Sequence, residues 1–257
     1  MQDAVWRGDA KKVAELMRQD PSFKVNMDQD GYGVTLLHYA CFSDSRSAVI
    51  PLLLAHPDID VNAKATSGST PFSVACASGS TSCVREMLKD SRVKVSEPNR
   101  FGYTPLWGAA QNGHLDVIKW WIASGREMHL GKPGDVDKTD AIGAAKMYGY
   151  TEVVTLLERL KSDPTQTRHA MRLELGCVDE MAAEVFALVV FASDGLLRIG
   201  VQSTTTTTPT TRFFSVACQL PLELQMVLCY RCVGSSKEII SGQDTELAFR
   251  ALAKTAK

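Results

Sequence analysis

Four segments of the chain repeat one another at a nearly constant interval. "GVTLLHYACFSD" begins at Gly33, "GSTPFSVACASG" at Gly68, "GYTPLWGAAQNG" at Gly102 and "KTDAIGAAKMYG" at Lys138. The aligned residues Thr35, Thr70, Thr104 and Asp140 lie 35, 34 and 36 residues apart. An earlier fragment, "QDAVWRGDAKKVAELM", matches the same unit with its first part missing. A unit this short cannot bury its apolar face alone, so successive units must stack into one continuous core. That excludes most other architectures before any single residue is weighed.

Each unit carries a second apolar pattern after the first: "AVIPLLLAHPDIDVNAK", "SCVREMLKDSRVKVSEP", "LDVIKWWIASGREMHL" and "TEVVTLLERLKSD". Val84, Met87 and Leu88 fall at i, i+3 and i+4, as do Ile118, Trp121 and Ile122. In the last copy Val154, Leu157 and Glu158 nearly follow the same rule. Each second segment is therefore expected to be a short helix with one apolar face. Trp120, beside Trp121, is expected on a more exposed side.

The paired pattern resembles the ankyrin repeat, a unit of roughly 33 residues with a β-turn and two antiparallel helices. The resemblance rests on Thr70-Pro71-Phe72, Ala75-Cys76 and Gly79, then on Thr104-Pro105-Leu106, Ala109-Ala110 and Gly113-His114. Leu37-His38, Ala40-Cys41 and Val61-Asn62 extend it. Threonine caps the first helix with its hydroxyl, and proline fits the first turn, where a missing N–H is harmless. The Ala/Cys pair lets helices approach closely, and Gly113 suits a helix end with positive φ. The resemblance implies that His114 starts the second helix and that His38 ties down a loop. Leu36 and Ala141 depart from proline, and Asp140 replaces threonine but can still cap. Pro51 falls near the second helix of its unit and predicts a distorted or late start. The segment Gly131–Lys138, "GKPGDVDK", is longer than the usual turn.

The expected fold is all-α: a solenoid over residues 1–160 with units at 1–30, 31–65, 66–99, 100–134 and 135–161. A helical extension covers residues 162–257, with a Thr-rich loop at 203–211. Ser162-Asp163-Pro164 marks a helix start, and helical segments are expected at 178–192, 212–232 and 243–255. The apolar run Met181–Ala192 is too short to span a bilayer, which takes about 20 residues, and reads as a core helix. The extension is expected to pack on the last repeat as a cap. "QLPLELQMVLCYR" at 219–231 resembles the start of an F-box-like or SOCS-box-like module through Leu220-Pro221, Glu223-Leu224 and Leu228. That resemblance implies recruitment of a ubiquitin-ligase subunit; a plain packing helix explains the same residues.

Composition argues against chemistry and against polyanions. The formal net charge is −1, which points to neither nucleic acid nor an anionic membrane. Seven cysteines, with no apolar leader in "MQDAVWRGDA", read as reduced thiols of an intracellular, cytoplasmic chain. His38 and His114 sit at motif positions; His56, His129 and His169 pair with no ligand set of zinc spacing. Cys229 and Cys232 form a lone C-x-x-C, and Cys177 and Cys218 do not complete a metal site. No phosphate loop, dinucleotide fingerprint or nucleophile elbow is present. The expectation is a non-enzyme with no cofactor and no metal.

What remains is a surface. Repeat position places Trp6 and Arg7; Tyr32, Val34 and Phe42; Ser67, Ser69 and Ser78; Arg100, Phe101, Tyr103, Gln111 and Asn112; Thr139, Met147 and Tyr148 on the turn tips and first helices. Partners of such arrays usually bind there, on the concave side. Trp107 replaces the motif histidine and is expected half-buried. Aromatics and arginine dominate the set, the types enriched at binding hot spots. The candidate partner-binding residues are Trp6, Arg7, Tyr32, Phe42, Arg100, Phe101, Tyr103, Trp107, Gln111, Asn112, Met147 and Tyr148. The expected partner is a protein, with no nucleic acid and no membrane.

Overall fold

A computed structural model describes residues 1–20, 23–130, 139–193, 217–233 and 248. The described residues contain helices and no strand. The chain divides into two compact units, Met1–Met171 and Arg172–Lys257.

The first unit is a run of helix pairs. They are α1 (Gln2–Trp6) with α2 (Ala10–Gln19), α3 (Leu36–Cys41) with α4 (Ile50–Leu54), α5 (Pro71–Ala77) with α6 (Thr81–Lys89), α7 (Pro105–Gln111) with α8 (Leu115–Ser124), and α9 (Ala141–Met147) with α10 (Thr151–Ser162). The first helices α1, α3, α5, α7 and α9 pack in succession, and α4, α6, α8 and α10 form a second row.

The aligned residues start the first helices as their chemistry requires. The Thr70 hydroxyl accepts the Ser73 N–H at 3.2 Å, and the Thr104 hydroxyl accepts the Trp107 N–H at 3.2 Å. Asp140 caps α9 as expected, its carboxylate accepting the Gly143 N–H at 2.8 Å. In the second repeat the Thr35 N–H donates to His38 Nδ1 at 3.1 Å. Each such cap stabilises by about 1 kcal/mol.

Gly79 and Gly113 end their first helices at φ +70°, the left-handed region that disfavours a side chain. They are fixed by contact as well. A Cβ on Gly79 would lie 2.5 Å from the His114 ring, and one on Gly113 would lie 2.4 Å from the Tyr150 ring. His114 and Tyr150 are the residues that open α8 and α10.

The core runs through the stack. Leu36, Leu37, Phe72, Leu106 and Ile118 are fully buried. Phe72 of the third repeat meets Trp121 of the fourth edge-on, with ring centroids 5.0 Å apart. Polar clips tie neighbouring loops. Asn26 donates to Asp58 O at 2.6 Å and accepts from Asp60 N at 2.8 Å. Asn62 repeats the clip one unit on, with Arg92 O at 2.9 Å and Lys94 N at 2.7 Å.

Some expectations hold and others are corrected. The stretch around Pro51 does start late: a 3₁₀ helix over Asp44–Val49 precedes α4, whose first turn carries the proline. The buried stripe of α10 is Val153, Leu156 and Leu157, not Val154, Leu157 and Glu158, so its phase differs by one residue. Trp107 is nearly buried rather than half-buried, for reasons given below. Trp120 is partly exposed, with the Arg85 guanidinium 3.9 Å above its ring.

After α10 comes α11 (Pro164–Glu174), capped by Asp163, whose carboxylate accepts the Gln166 N–H at 2.9 Å. In the second compact unit α12 (Cys177–Ser193) packs on α13 (Leu222–Cys232). Ala182, Ala183, Phe186, Val189, Cys229 and Tyr230 form its core, and the Tyr230 hydroxyl donates to Asp179 at 3.2 Å. Met181–Ala192 is thus the core helix expected. The segment 212–232 is not one helix: residues 218–220 turn, and α13 starts only at Leu222, after Pro221. No described helix is long and apolar enough to cross a membrane. The Thr-rich stretch 203–211, the loop Gly131–Lys138 and all of 243–255 but Ala248 lie outside the described residues.

Candidate functional site

Because every first helix begins at an equivalent residue, the same register positions recur along one side of the array. Three residues before the cap stand Tyr32, Ser67 and Phe101. One residue before it stand Val34, Ser69, Tyr103 and Thr139. Three after it come His38, Ser73, Trp107 and Gly143, and seven after it come Phe42, Ala77, Gln111 and Met147. Trp6 matches this last position in the first repeat.

Six of the candidate residues, Trp6, Tyr32, Phe42, Phe101, Met147 and Tyr148, are each more than half exposed although large and apolar. Scattered singly, such residues need no explanation. Here they fall at three register positions of the turns and first helices, which is the pattern of a patch.

The fourth repeat is the most elaborate. Tyr103 stacks on Trp107 with centroids 3.9 Å apart and planes 17° from parallel. Phe101 leans on Tyr103 at 6.4 Å. The Trp107 indole N–H donates to the Thr139 hydroxyl of the next repeat at 3.3 Å. Stacking on one side and this bond on the other explain its burial. Gln111 donates to the Tyr148 hydroxyl at 3.1 Å. Asn112 donates to Gly108 O at 3.0 Å and across the seam to Ala77 O at 3.2 Å. The structure therefore joins Phe101, Tyr103 and Trp107 in one aromatic set and pairs Gln111 with Tyr148, while Asn112 is tied to backbone carbonyls. Arg100 is held at the turn by its backbone, whose N–H donates to Ser67 O at 3.1 Å, and its side chain is exposed.

At the other end Trp6 lies under the Arg46 guanidinium at 3.6 Å and faces Tyr39 at 6.3 Å. Arg46 also donates to Tyr39 O at 2.9 Å. Arg7 pairs with Asp3 at 3.1 Å in the open, a contact worth little in water. Tyr32 and Phe42 stand exposed at the turn and helix end of the second repeat. The third repeat carries only Ser67, Ser69, Ser73, Ala77 and Ser78 at these positions. A groove of about 310 Å³ results, lined by Ser69, Ser73 and Ala77 on one side and Tyr103, Trp107 and Asn112 on the other.

His38, His114 and the buried cysteines of the first unit serve packing. His38 Nε2 bonds Ser69 O of the next repeat at 3.0 Å, the loop tie that the resemblance implied. Burial lowers its pKa from the ordinary histidine value, outweighing that bond. His114 Nε2 bonds Ala77 O at 2.9 Å. Cys41 and Cys76 are buried, and desolvation raises both thiols well above the usual range. Burial pushes Cys83 up to about 12, so none of the three is poised as a thiolate. Among the described residues no group of His, Cys, Asp and Glu could hold a metal ion.

Sequence reasoning missed Arg46, Tyr39, Asn99 and two seam residues. Arg126 donates to Leu88 O at 3.2 Å, Asp90 O at 2.8 Å and Val93 O at 2.6 Å, capping the end of α6 from the next repeat. Asp44 accepts the Ser82 N–H at 2.7 Å and so caps the start of α6 from the preceding repeat. Neither follows a local spacing rule; each partner lies more than 30 residues away.

The helix pairs, their capped starts and their exposed register positions define a helical-repeat array built around a surface. A family profile described as ankyrin repeats (3 copies) matches residues 37–130 and 72–168. The chain belongs to the ankyrin-repeat family. It is 29% identical over 150 residues to human SMC5-SMC6 complex localization factor protein 1, covering 56% of this chain but 14% of that protein. It is 29% identical over 146 residues to human transient receptor potential cation channel subfamily A member 1, covering 56% of this chain and 12% of the channel. Human Rabankyrin-5 matches at 30% over 95 residues, 37% of this chain and 8% of its own length. The chain thus aligns with less than one sixth of each of these relatives. Ankyrin repeats make the chain a protein-interaction module.

Proposed function

We propose that the turn tips and first helices of residues 1–160 form a concave face that binds a partner protein without catalysis. The observation that carries this is the set of exposed apolar side chains from Trp6 to Tyr148 on the turn tips and first helices. A rigid array loses little conformational entropy on binding, so such a set converts efficiently into affinity. The human relative's name makes it a localisation factor for a protein complex, a task that a binding surface suffices for. Affinity capture with the wild type and with Phe101→Ala/Tyr103→Ala tests the proposal. The variant should lose the partner; identical partners, all retained by residues 172–257 alone, would sink it.

A second role has one observation behind it. Leu222 and Leu224, at the start of α13, are each more than half exposed, whereas Cys229 and Tyr230 further along are buried. An exposed apolar helix start suits recruitment of a ubiquitin-ligase subunit by residues 219–231, with the repeats choosing the substrate. Co-purification of a Skp1-like or elongin-like subunit, lost in Leu224→Asp, is the expected result. Absence of both subunits refutes it.

A further inference from the structure

The groove between the third and fourth repeats has a chemistry of its own. Its floor is low because Ser73 and Ala77 stand where other repeats carry His38 or Trp107, and Phe42, Gln111 or Met147. Its wall is the stacked Tyr103–Trp107 pair. Among the described residues no Lys, Arg, Asp or Glu lines it.

The decisive feature is which hydrogen-bonding groups the fold has already used. The Asn112 amide nitrogen donates to two backbone carbonyls, Ala77 O and Gly108 O. That pair fixes the amide's orientation, since an oxygen turned toward two carbonyls would be repelled. Asn112 therefore offers its Oδ1, an acceptor. The Trp107 N–H is engaged by Thr139, and the Ser73 hydroxyl donates to Thr70 O at 2.8 Å. At the turn end Asn99 is oriented the opposite way. Its Oδ1 accepts the Phe101 and Tyr103 N–H groups at 3.0 and 3.1 Å, which leaves its amide nitrogen to donate.

We propose that this groove holds the guanidinium of an arginine side chain from the partner, packed on the Tyr103 ring beside Trp107 and donating to Asn112. The inference deepens the concave-face proposal and rests on it. A guanidinium is planar, weakly hydrated and rich in donors, and it stacks on aromatic rings. It meets no cation among the described lining residues, and the groove is open enough for it to keep part of its hydration without a carboxylate. A proline or phenylalanine would cover the Asn112 oxygen without a donor, which costs free energy. A lysine ammonium would lose hydration with no planar face to stack. Asn99, at the other end, suits a carbonyl of the same extended segment.

The test titrates the full chain with N-acetyl-arginine amide, N-acetyl-lysine amide and N-acetyl-phenylalanine amide, following the Trp107 indole and Asn112 side-chain resonances. The arginine amide should give saturable shifts and bind at least about fivefold more tightly than the lysine amide. Ala77→Met places at the floor a residue the fifth repeat already carries at that register. It should weaken arginine-amide binding about tenfold or more by filling the groove, with the thermal midpoint unchanged; if the midpoint drops, Ser73→His carries the same expectation. No saturable shift with the arginine amide, equal binding of lysine, tighter binding of phenylalanine, or undiminished binding in the filled variants overturns the proposal. A partner captured by the wild type, lost in Phe101→Ala/Tyr103→Ala but kept in Ala77→Met, overturns the arginine assignment while the concave face stands. Loss of the face proposal with groove binding intact is the converse outcome.

Discussion

The third and fourth repeats share a skeleton and differ in what they show to solvent. Both begin with Thr-Pro at a capped helix, both end that helix at a glycine with φ +70°, and both bury an apolar second helix. Yet the third carries Ser67, Ser69, Ser73, Ala77 and Ser78 where the fourth carries Phe101, Tyr103, Gln111, Asn112 and the nearly buried Trp107. The skeleton is thus fixed by residues that point inward or cap, and the surface is set by residues the motif leaves free. A notch beside a ridge is what that freedom produced.

The strongest way to break this comparison is to attack the shared core. Phe72→Ala removes a fully buried ring from its edge contact with Trp121 and should cost about 3–5 kcal/mol in urea denaturation. Gly79→Val forces a β-branched residue to positive φ against His114, and a loss of about 2–3 kcal/mol is expected by the same measurement. Thr70→Ala and Thr104→Ala each remove one cap and should cost about 1 kcal/mol apiece. Thermal midpoints that separate the two clearly would show that the skeletons are not energetically equivalent.

His38 sharpens the contrast with the serine and tryptophan at its register. Its pKa is lowered by burial, so the unfolded chain binds a proton more readily than the folded one. Its contribution is present above the unfolded value of about 6.5 and is lost as pH falls below it. Stability should decline across that window in the wild type and less so in His38→Gln, read by chemical denaturation at several pH values. The smallest structural effect belongs to the surface. Phe101→Ala should change stability by no more than about 0.5 kcal/mol while clearly reducing partner capture.

The repeat interval made the fold legible, because Thr35, Thr70, Thr104 and Asp140 announce each helix start through their own chemistry. The exposed members of the candidate face were legible for the same reason: once register is known, a position's direction follows. Trp107 was not, since its burial depends on a stack with Tyr103 and a bond to Thr139 that no local pattern encodes. The phase of α10 was missed because Val153 and Val154 are both apolar, and only packing decides which turns inward. Arg126, Asp44 and, over the Trp6 ring, Arg46 act across a seam between repeats, where spacing rules within one helix have nothing to say. Trp6 and Tyr39, facing each other across that first seam, were separable only in three dimensions.

The glycine contacts give the array a polarity that matters for anyone wishing to splice it. Gly79 belongs to one repeat and the His114 ring that fills its hollow belongs to the next; Gly113 and Tyr150 repeat the arrangement. The fourth repeat is therefore a plug on one side and a socket on the other, while the third carries only a socket. A chimera exchanging the notched third repeat for another must keep every socket facing a ring that fits it. Crossovers should preserve the Gly79–His114 pair on one side of the graft and the Asp44 cap of α6 on the other, and a cut that pairs the glycine with a foreign ring would scramble the seam before it altered what the surface binds.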